Sequence, residues 1–310
     1  MSLIFLLGTL LSFQAGANGT AAEETPILDR VGQPVSFDAL VEELARRDVV
    51  FLGEDHDNPT GHRLQLKILE ALHRRRPDII LSLEMFERDT QGVLDDYLRG
   101  RIDEKEFLKH SRPWSTYKTF YRPLVEFAKT NTLDVVAANV PRRIAADASK
   151  GKTLIQADRL FVPRETTSPK DAYYERFFEI MSGHGGTLED GAMERFYRSQ
   201  CLKDDAMAEA ITDGLAQKPH RRPLVVHLCG KFHSDYGQGT ALRVLTRRPL
   251  LQVGIVTMEP TADVLKFDPK EHLGRAHFLL VVPEVKKKTP SKESSEKTVP
   301  TTEKKPAKKS

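Results

Sequence analysis

Short apolar runs along this chain alternate with stretches in which apolar residues recur every three to four positions. The runs at residues 49–52, 79–83, 134–138, 224–229, 251–258 and 277–282 have the length and continuity of strands buried on both faces. Between the first two, "NPTGHRLQLKILEALHRRR" places Leu64, Ile68, Leu69 and Leu72 on one helical face, with Asn58 as the cap and Pro59 in the first turn. Apolar strands separated by helices predict βαβ units, and hence an α/β fold with a central, mostly parallel sheet flanked by helices. Residues 88–129 and 169–219 read as helical insertions on that scaffold. The second holds a long pattern over 188–218 that turns Phe196, Met207, Ile211 and Leu215 inward.

The two ends of the chain break the pattern. Residues 1–17 read as an export signal: the apolar run 3–11 is too short to span a bilayer, and Ala15, Gly16 and Ala17 form an A-x-A-like cleavage site. No Lys or Arg precedes that run, which departs from the usual signal. Neither cysteine lies near it, so a lipoprotein is not expected, and a periplasmic or cell-envelope location is. Residues 284–310 hold nine lysines and four glutamates among Pro, Ser and Thr. Such a segment cannot repay the entropy of ordering and is expected to be a disordered tether, with weak attraction to an anionic membrane surface as the lesser reading.

That tail also accounts for the charge. The chain carries a formal +3, and without the tail the remainder is slightly acidic, so nucleic acid is not an expected partner. A folded domain over 27–283 is left. Its two cysteines, Cys201 on a predicted helix and Cys229 in a predicted strand, fit buried thiols better than a disulfide. No CxxC or CxxCH motif indicates thioredoxin-like chemistry or covalent haem.

The candidate chemistry begins at "VVFLGEDHDNP", where a buried strand stops at Gly53 and Glu54, Asp55, His56 and Asp57 follow. "VHLCGKFH" repeats the form, an apolar strand followed by Gly230 and then His233. In parallel α/β sheets ligands bind at the carboxyl ends of strands. The same edge would receive Glu84 from "IILSLEMF", and Asn139 and Arg142 from "VVAANVPRR". The proposed constellation is Glu54, His56, Glu84 and His233, with Asp55, Asp57, Asn139, Arg142 and Asp235 around it. Two carboxylates and two imidazoles can bind a divalent metal that keeps a position for water. Equally, a glutamate can orient a histidine as the general base of a hydrolase. The plainer alternative is that Glu54 and Glu84 cap helix N-termini.

Taken together, "VVFLGEDHDNPTGHRLQLKILEAL", "DIILSLEMFERDTQGVLDDYL", "RPWSTYKTFYRPLVEFAKTNTLDVVAANVPRR", "CLKDDAMAEAI" and "LVVHLCGKFHSDYGQG" resemble the ChaN family of haem-binding, iron-regulated proteins. That family shares a superfamily with erythromycin esterases and Tiki metalloproteases. The resemblance implies an α/β fold, export, and haem held between the two subunits of a homodimer with tyrosine as iron ligand. In the hydrolytic relatives, residues corresponding to Glu54, His56 and Glu84 carry the chemistry.

Haem needs flat apolar contact, an axial donor and bases for its propionates. In "HSRPWSTYKTFYRPL", Trp114, Tyr117 and Tyr121 fall near helical spacing and Arg112, Lys118 and Arg122 interleave, which makes Trp114, Tyr117, Tyr121 and Arg122 the haem candidates. Such a stripe is more often core packing. Tyr173, Tyr174, Tyr236 and His184 are further options. The reading taken forward is an exported haem-binding protein of haem or iron uptake. A hydrolase built on the Glu/His cluster is the alternative, and a polar cluster that only stabilises strand ends is the third.

Overall fold

β2 (Val49–Glu54) and β5 (Leu224–Gly230) lie side by side in the middle of a seven-stranded sheet. The computed structural model describes residues 25–153, 155–183 and 191–285; the predicted signal, His184 and all but two residues of the predicted tail lie outside them. The other strands are β1 (Ile27–Asp29), β3 (Ile79–Glu87), β4 (Asp134–Asn139), β6 (Val253–Thr261) and β7 (Phe278–Pro283). They order as β1-β7-β6-β2-β5-β3-β4, all parallel except the β1–β7 pair. All six predicted strands form. β1 was not predicted, since three residues are too few to show a period.

The alternation along each central strand sorts the core into two layers. Val50, Leu52, Leu81 and Val226 pack under α1 (Phe37–Leu44), α2 (Pro59–Arg75), α3 (Gln91–Leu98), α4 (Glu104–Ser111) and α5 (Arg122–Thr130). Val49, Phe51, Ile80 and Val225 face the other way. Beyond α6 (Arg142–Ser149) and α7 (Ala172–Ser182), the long α8 (Ala192–Ala216) and α9 (Gly239–Arg247) cover that second face. In α2, Ile68, Leu69 and Leu72 are buried as expected and Leu64 is half-buried. Asn58 caps the helix by accepting from Gly61 N–H at 2.9 Å. In α8, Met207 and Ile211 are buried, whereas Phe196 and Leu215 are half-buried. Cys201 and Cys229 are both free and buried. Among the described residues no helix is long and apolar enough to cross a membrane.

The strand order positions the site. From β2 the chain passes through α2 to β3, two places away on one side; from β5 it passes through α9 to β6, two places away on the other. The connections therefore diverge above β2 and β5, and a crevice opens at their carboxyl ends. Gly53 lets it close to the right width: a side chain there would meet Ser234 Oγ at 3.0 Å and Lys231 Cα at 3.1 Å, so the turn after β5 can lie directly on β2.

Candidate active site

The carboxyl ends of β2, β3, β4 and β5 open into a cleft of about 830 Å³. Glu54, His56, Glu84 and His233 all line it, as do Asp55, Asp57, Asn139 and Arg142. Asp235 does not. It is buried to one side, accepting from Thr257 Oγ1 at 2.7 Å and paired with Arg275 at 3.1 Å. The two strand-Gly-x-x-His segments do lie on adjacent strands. Their register is one residue off the sequence echo, however, with Gly53 opposite Cys229 and Glu54 opposite Gly230.

Glu54 is a fully buried carboxylate that accepts from three side chains: His56 Nδ1 at 2.8 Å, the Tyr121 hydroxyl at 2.6 Å and Gln65 Nε2 at 2.7 Å. His62 reinforces the arrangement by bonding Gln65 Oε1 at 2.8 Å and the His56 carbonyl at 3.0 Å. With Nδ1 committed to Glu54, the His56 ring keeps Nε2 for the cleft, and its side chain is 44% exposed. Trp114 stands edge to face against it, 5.0 Å between centroids. Burial of the ring opposes its charged form, but the Glu54 hydrogen bond and the charges of Glu84 and Glu54 outweigh this and raise the His56 pKa.

Glu84 belongs to a second assembly. β3 runs four residues beyond its predicted end, and an irregularity in its pairing with β4 after Leu83 breaks the strand's period of two. Both Glu84 and Glu87 consequently face the cleft. Glu84 accepts the Gly230 N–H at 2.7 Å and lies 3.4 Å from His233 Nε2. His233 Nδ1 in turn meets Asp204 Oδ1 at 2.7 Å. Burial alone would keep His233 neutral, yet Glu84 and Asp204 on either side push its pKa up to about 9. Its positive charge holds both Glu84 and Asp204 below the usual carboxylate range despite their own burial.

Asp204 was not singled out in the sequence, although "CLKDDAMAEAI" contains it. On α8 it also accepts from the Tyr173 hydroxyl at 2.7 Å and Thr240 Oγ1 at 2.8 Å. The available signal was an acidic residue on the apolar face of a long helix, which is costly unless partnered. Glu54 and Glu84 do not cap helices; the α2 cap is Asn58.

Glu54 and His56 form one hydrogen-bonded pair and Glu84 and His233 another. Among the described residues no group of three His, Cys, Asp or Glu is arranged to hold an ion. Glu54 accepts three hydrogen bonds, and His233 lies between Glu84 and Asp204.

The aromatic stripe divides. Trp114 lines the cleft, but Tyr117 is buried against Phe86 and Phe107, and Tyr121 is buried with its hydroxyl on Glu54. Arg122 points elsewhere, pairing with Glu104 at 2.6 Å. The cause is one turn of π-helix at Tyr117–Tyr121, which turns both phenols into the core rather than outward.

The centre is thus a half-exposed imidazole backed by a fixed carboxylate, facing a carboxylate that is itself held by a buried imidazolium. Gly230 lies between them. A Cβ on residue 230 would sit 3.0 Å from His56 Nε2 and 3.8 Å from Glu84 Oε2. His56 thus lies directly on the Gly230 backbone, an approach that a side chain there would block, while its half-exposed ring leaves Nε2 able to take a proton from a water or substrate hydroxyl in the cleft.

No curated protein sequence matches the chain. Among solved structures, ChaN of Campylobacter jejuni, described with cofacially bound heme, superposes with a TM-score of 0.64 at 19% identity, covering 83% of this chain and 96% of that one. At that identity the likeness is one of fold. A mutant of the erythromycin esterase EreC in its open conformation gives a TM-score of 0.46 at 12% identity over 73% of this chain and 74% of that one. The RRSP effector domain from Vibrio vulnificus gives 0.40 at 18% identity over 71% of this chain and 36% of that one. The sequence profile described as haem-binding uptake, Tiki superfamily, ChaN matches residues 40–244, more than half of the chain. This chain therefore belongs to the ChaN family of haem-binding uptake proteins within the Tiki superfamily.

Proposed function

We propose that this protein is an exported haem-binding protein of haem or iron uptake, with Tyr236 as the iron donor. Family membership supports haem as the ligand. The observation that carries the assignment to Tyr236 is that, of seven tyrosines in the chain, it alone is exposed, at 44%. Its φ of 62° lies in the left-handed region, where a bulky residue costs about 1–3 kcal/mol unless its surroundings impose it. Here the Tyr236 N–H is tied to the Arg275 carbonyl at 2.7 Å. The Arg176 guanidinium lies 5.1 Å from the ring centroid and supplies a cation for a haem propionate, while Arg275, 5.7 Å from the centroid, is paired with Asp235 and Glu259. The export signal and a homodimer closing around haem complete the reading.

Haemin titration of the chain without residues 1–17 tests it. Wild type and Tyr117→Phe are expected to bind saturably with a tyrosinate-type high-spin spectrum, and Tyr236→Phe to lose that spectrum. An unchanged spectrum in Tyr236→Phe would falsify the assignment. Sedimentation with and without haemin reads the dimer.

A second reading is favoured by the His56–Glu54 pair at the cleft wall: the cleft hydrolyses an ester or amide, with His56 as general base, Glu54 orienting it and Glu84 stabilising its protonated form. Gly230→Ala puts a methyl group 3.0 Å from His56 Nε2 and Cε1, so the ring must shift from its present position. Ester turnover is expected to fall by about a hundredfold, as such a displacement of reacting groups does. Full turnover in a folded Gly230→Ala protein would show that the position of the His56 ring does not set the rate.

A further inference from the structure

We propose that the end of the cleft between β4 and α6 is a subsite for the carboxylate of an amphipathic ligand, whose apolar body lies along Trp114, Phe177, Met181 and Phe232. The proposal extends the reading of the cleft as a substrate site, and three features independent of the catalytic pairs carry it. Asn139 ends β4 and is only 8% exposed, yet its side chain makes no hydrogen bond among the described residues. Its Oδ1 is buried without a partner, so Nδ2 is the accessible end of the amide and a free donor on the cleft wall.

Lys203, from α8, lines the same wall and has no carboxylate partner among the described residues. A half-buried lysine without an anion is unusual beside so many paired charges. The first turn of α6 completes the set: its N-cap is Pro141, which has no side-chain donor or acceptor, so the positive end of the helix is left uncapped at Arg142.

The carboxylates on the cleft floor do not already fill this role. Glu87 is matched by Arg112 at 2.8 Å and Arg142 at 3.2 Å, and Glu84 by His233. Among the described cations that line the cleft, Lys203 is the one without a carboxylate partner, and Asp55 and Asp57 line it after β2. The apolar residues opposite exclude a small free anion as the best ligand, because their burial rewards a ligand with a hydrocarbon or aromatic body.

The chain contains one tryptophan, and it lines the cleft, so Trp114 fluorescence reports occupancy without any turnover. Titration of the intact protein with decanoate and with decanol is expected to give saturable changes, with the acid bound at least about tenfold more tightly through its charge-assisted hydrogen bonds. N-octanoylglycine separates an acylated amino acid from a fatty acid as the source of the carboxylate; preference for either acid over the alcohol supports the subsite. Lys203→Met and Asn139→Ala are expected to abolish the preference, and Lys203→Arg to keep it. Equal affinity for acid and alcohol, no response to either, or a preference that survives in both Lys203→Met and Asn139→Ala would overturn the proposal. A protein that shows this preference but hydrolyses no ester loses the catalytic reading alone.

Discussion

His56→Ala is expected to lower ester turnover by roughly 10²–10⁴, the range lost with a positioned general base, while haemin binding stays at the wild-type level. The first half follows from geometry. Nδ1 is held by Glu54 and the half-exposed ring leaves Nε2 for the cleft, whereas Glu84 and His233 are already paired with each other. The second half follows from separation, because Tyr236 is not part of the cleft wall. Glu54→Gln adds a readout that a purely structural role would not move. In wild type the rate should rise with pH as His56 loses its proton, with a midpoint above 6.5 because Glu54 and Glu84 outweigh burial. Removing the Glu54 charge should move that midpoint downward. Unchanged turnover in His56→Ala, or an unmoved midpoint in Glu54→Gln, would take the pair out of the reaction.

Asp204→Ala is expected to be the most destabilising single change in the site, by about 3–5 kcal/mol, the cost of breaking a buried ion pair from one side. The substitution strips His233 of one of its two carboxylates and leaves the Tyr173 and Thr240 hydroxyls without their acceptor. Denaturant unfolding measures it. The same cluster sets a pH dependence. His233 has a folded pKa of about 9 against an ordinary 6.5, so its contribution is complete below about 6.5 and is lost as pH rises through about 9. Glu84 and Asp204 are shifted the other way, so their contribution is present above the ordinary carboxylate range and fades as pH falls through their lowered values. Stability should therefore peak on the acid side of neutrality and decline towards pH 9. His233→Gln should flatten the alkaline decline; an identical decline in that variant would show that another group causes it.

The polar turn after β2 was legible because everything that shapes it is local. An apolar strand, a glycine and a Glu-x-His sequence lie within a few residues, and Asn58 and Pro59 mark the helix that follows. Glu84 was legible as a strand-end carboxylate, but its partner Asp204 was not, because only the packing of α8 against β4 and α9 brings it beneath His233. Tyr117 and Tyr121 show the opposite failure. Their spacing near Trp114 and among basic residues looks like a ligand face, while the π-turn buries both phenols and leaves Tyr236, a single residue in a short turn, as the exposed one.

What the sequence determined by itself is six of the seven strands, the helix beginning at Asn58 and Pro59, the α/β class and the edge of the sheet that carries the polar groups. Each of these rests on periodicity or on turn chemistry within a few residues. Tertiary structure alone decided the one-residue offset between the two histidine segments, the charge state of His233, the burial of the tyrosine stripe and the pairing of Asp204 across 29 positions. These depend on which side chains from distant segments share a low-dielectric space, and a pKa or an exposure exists only once that space has closed.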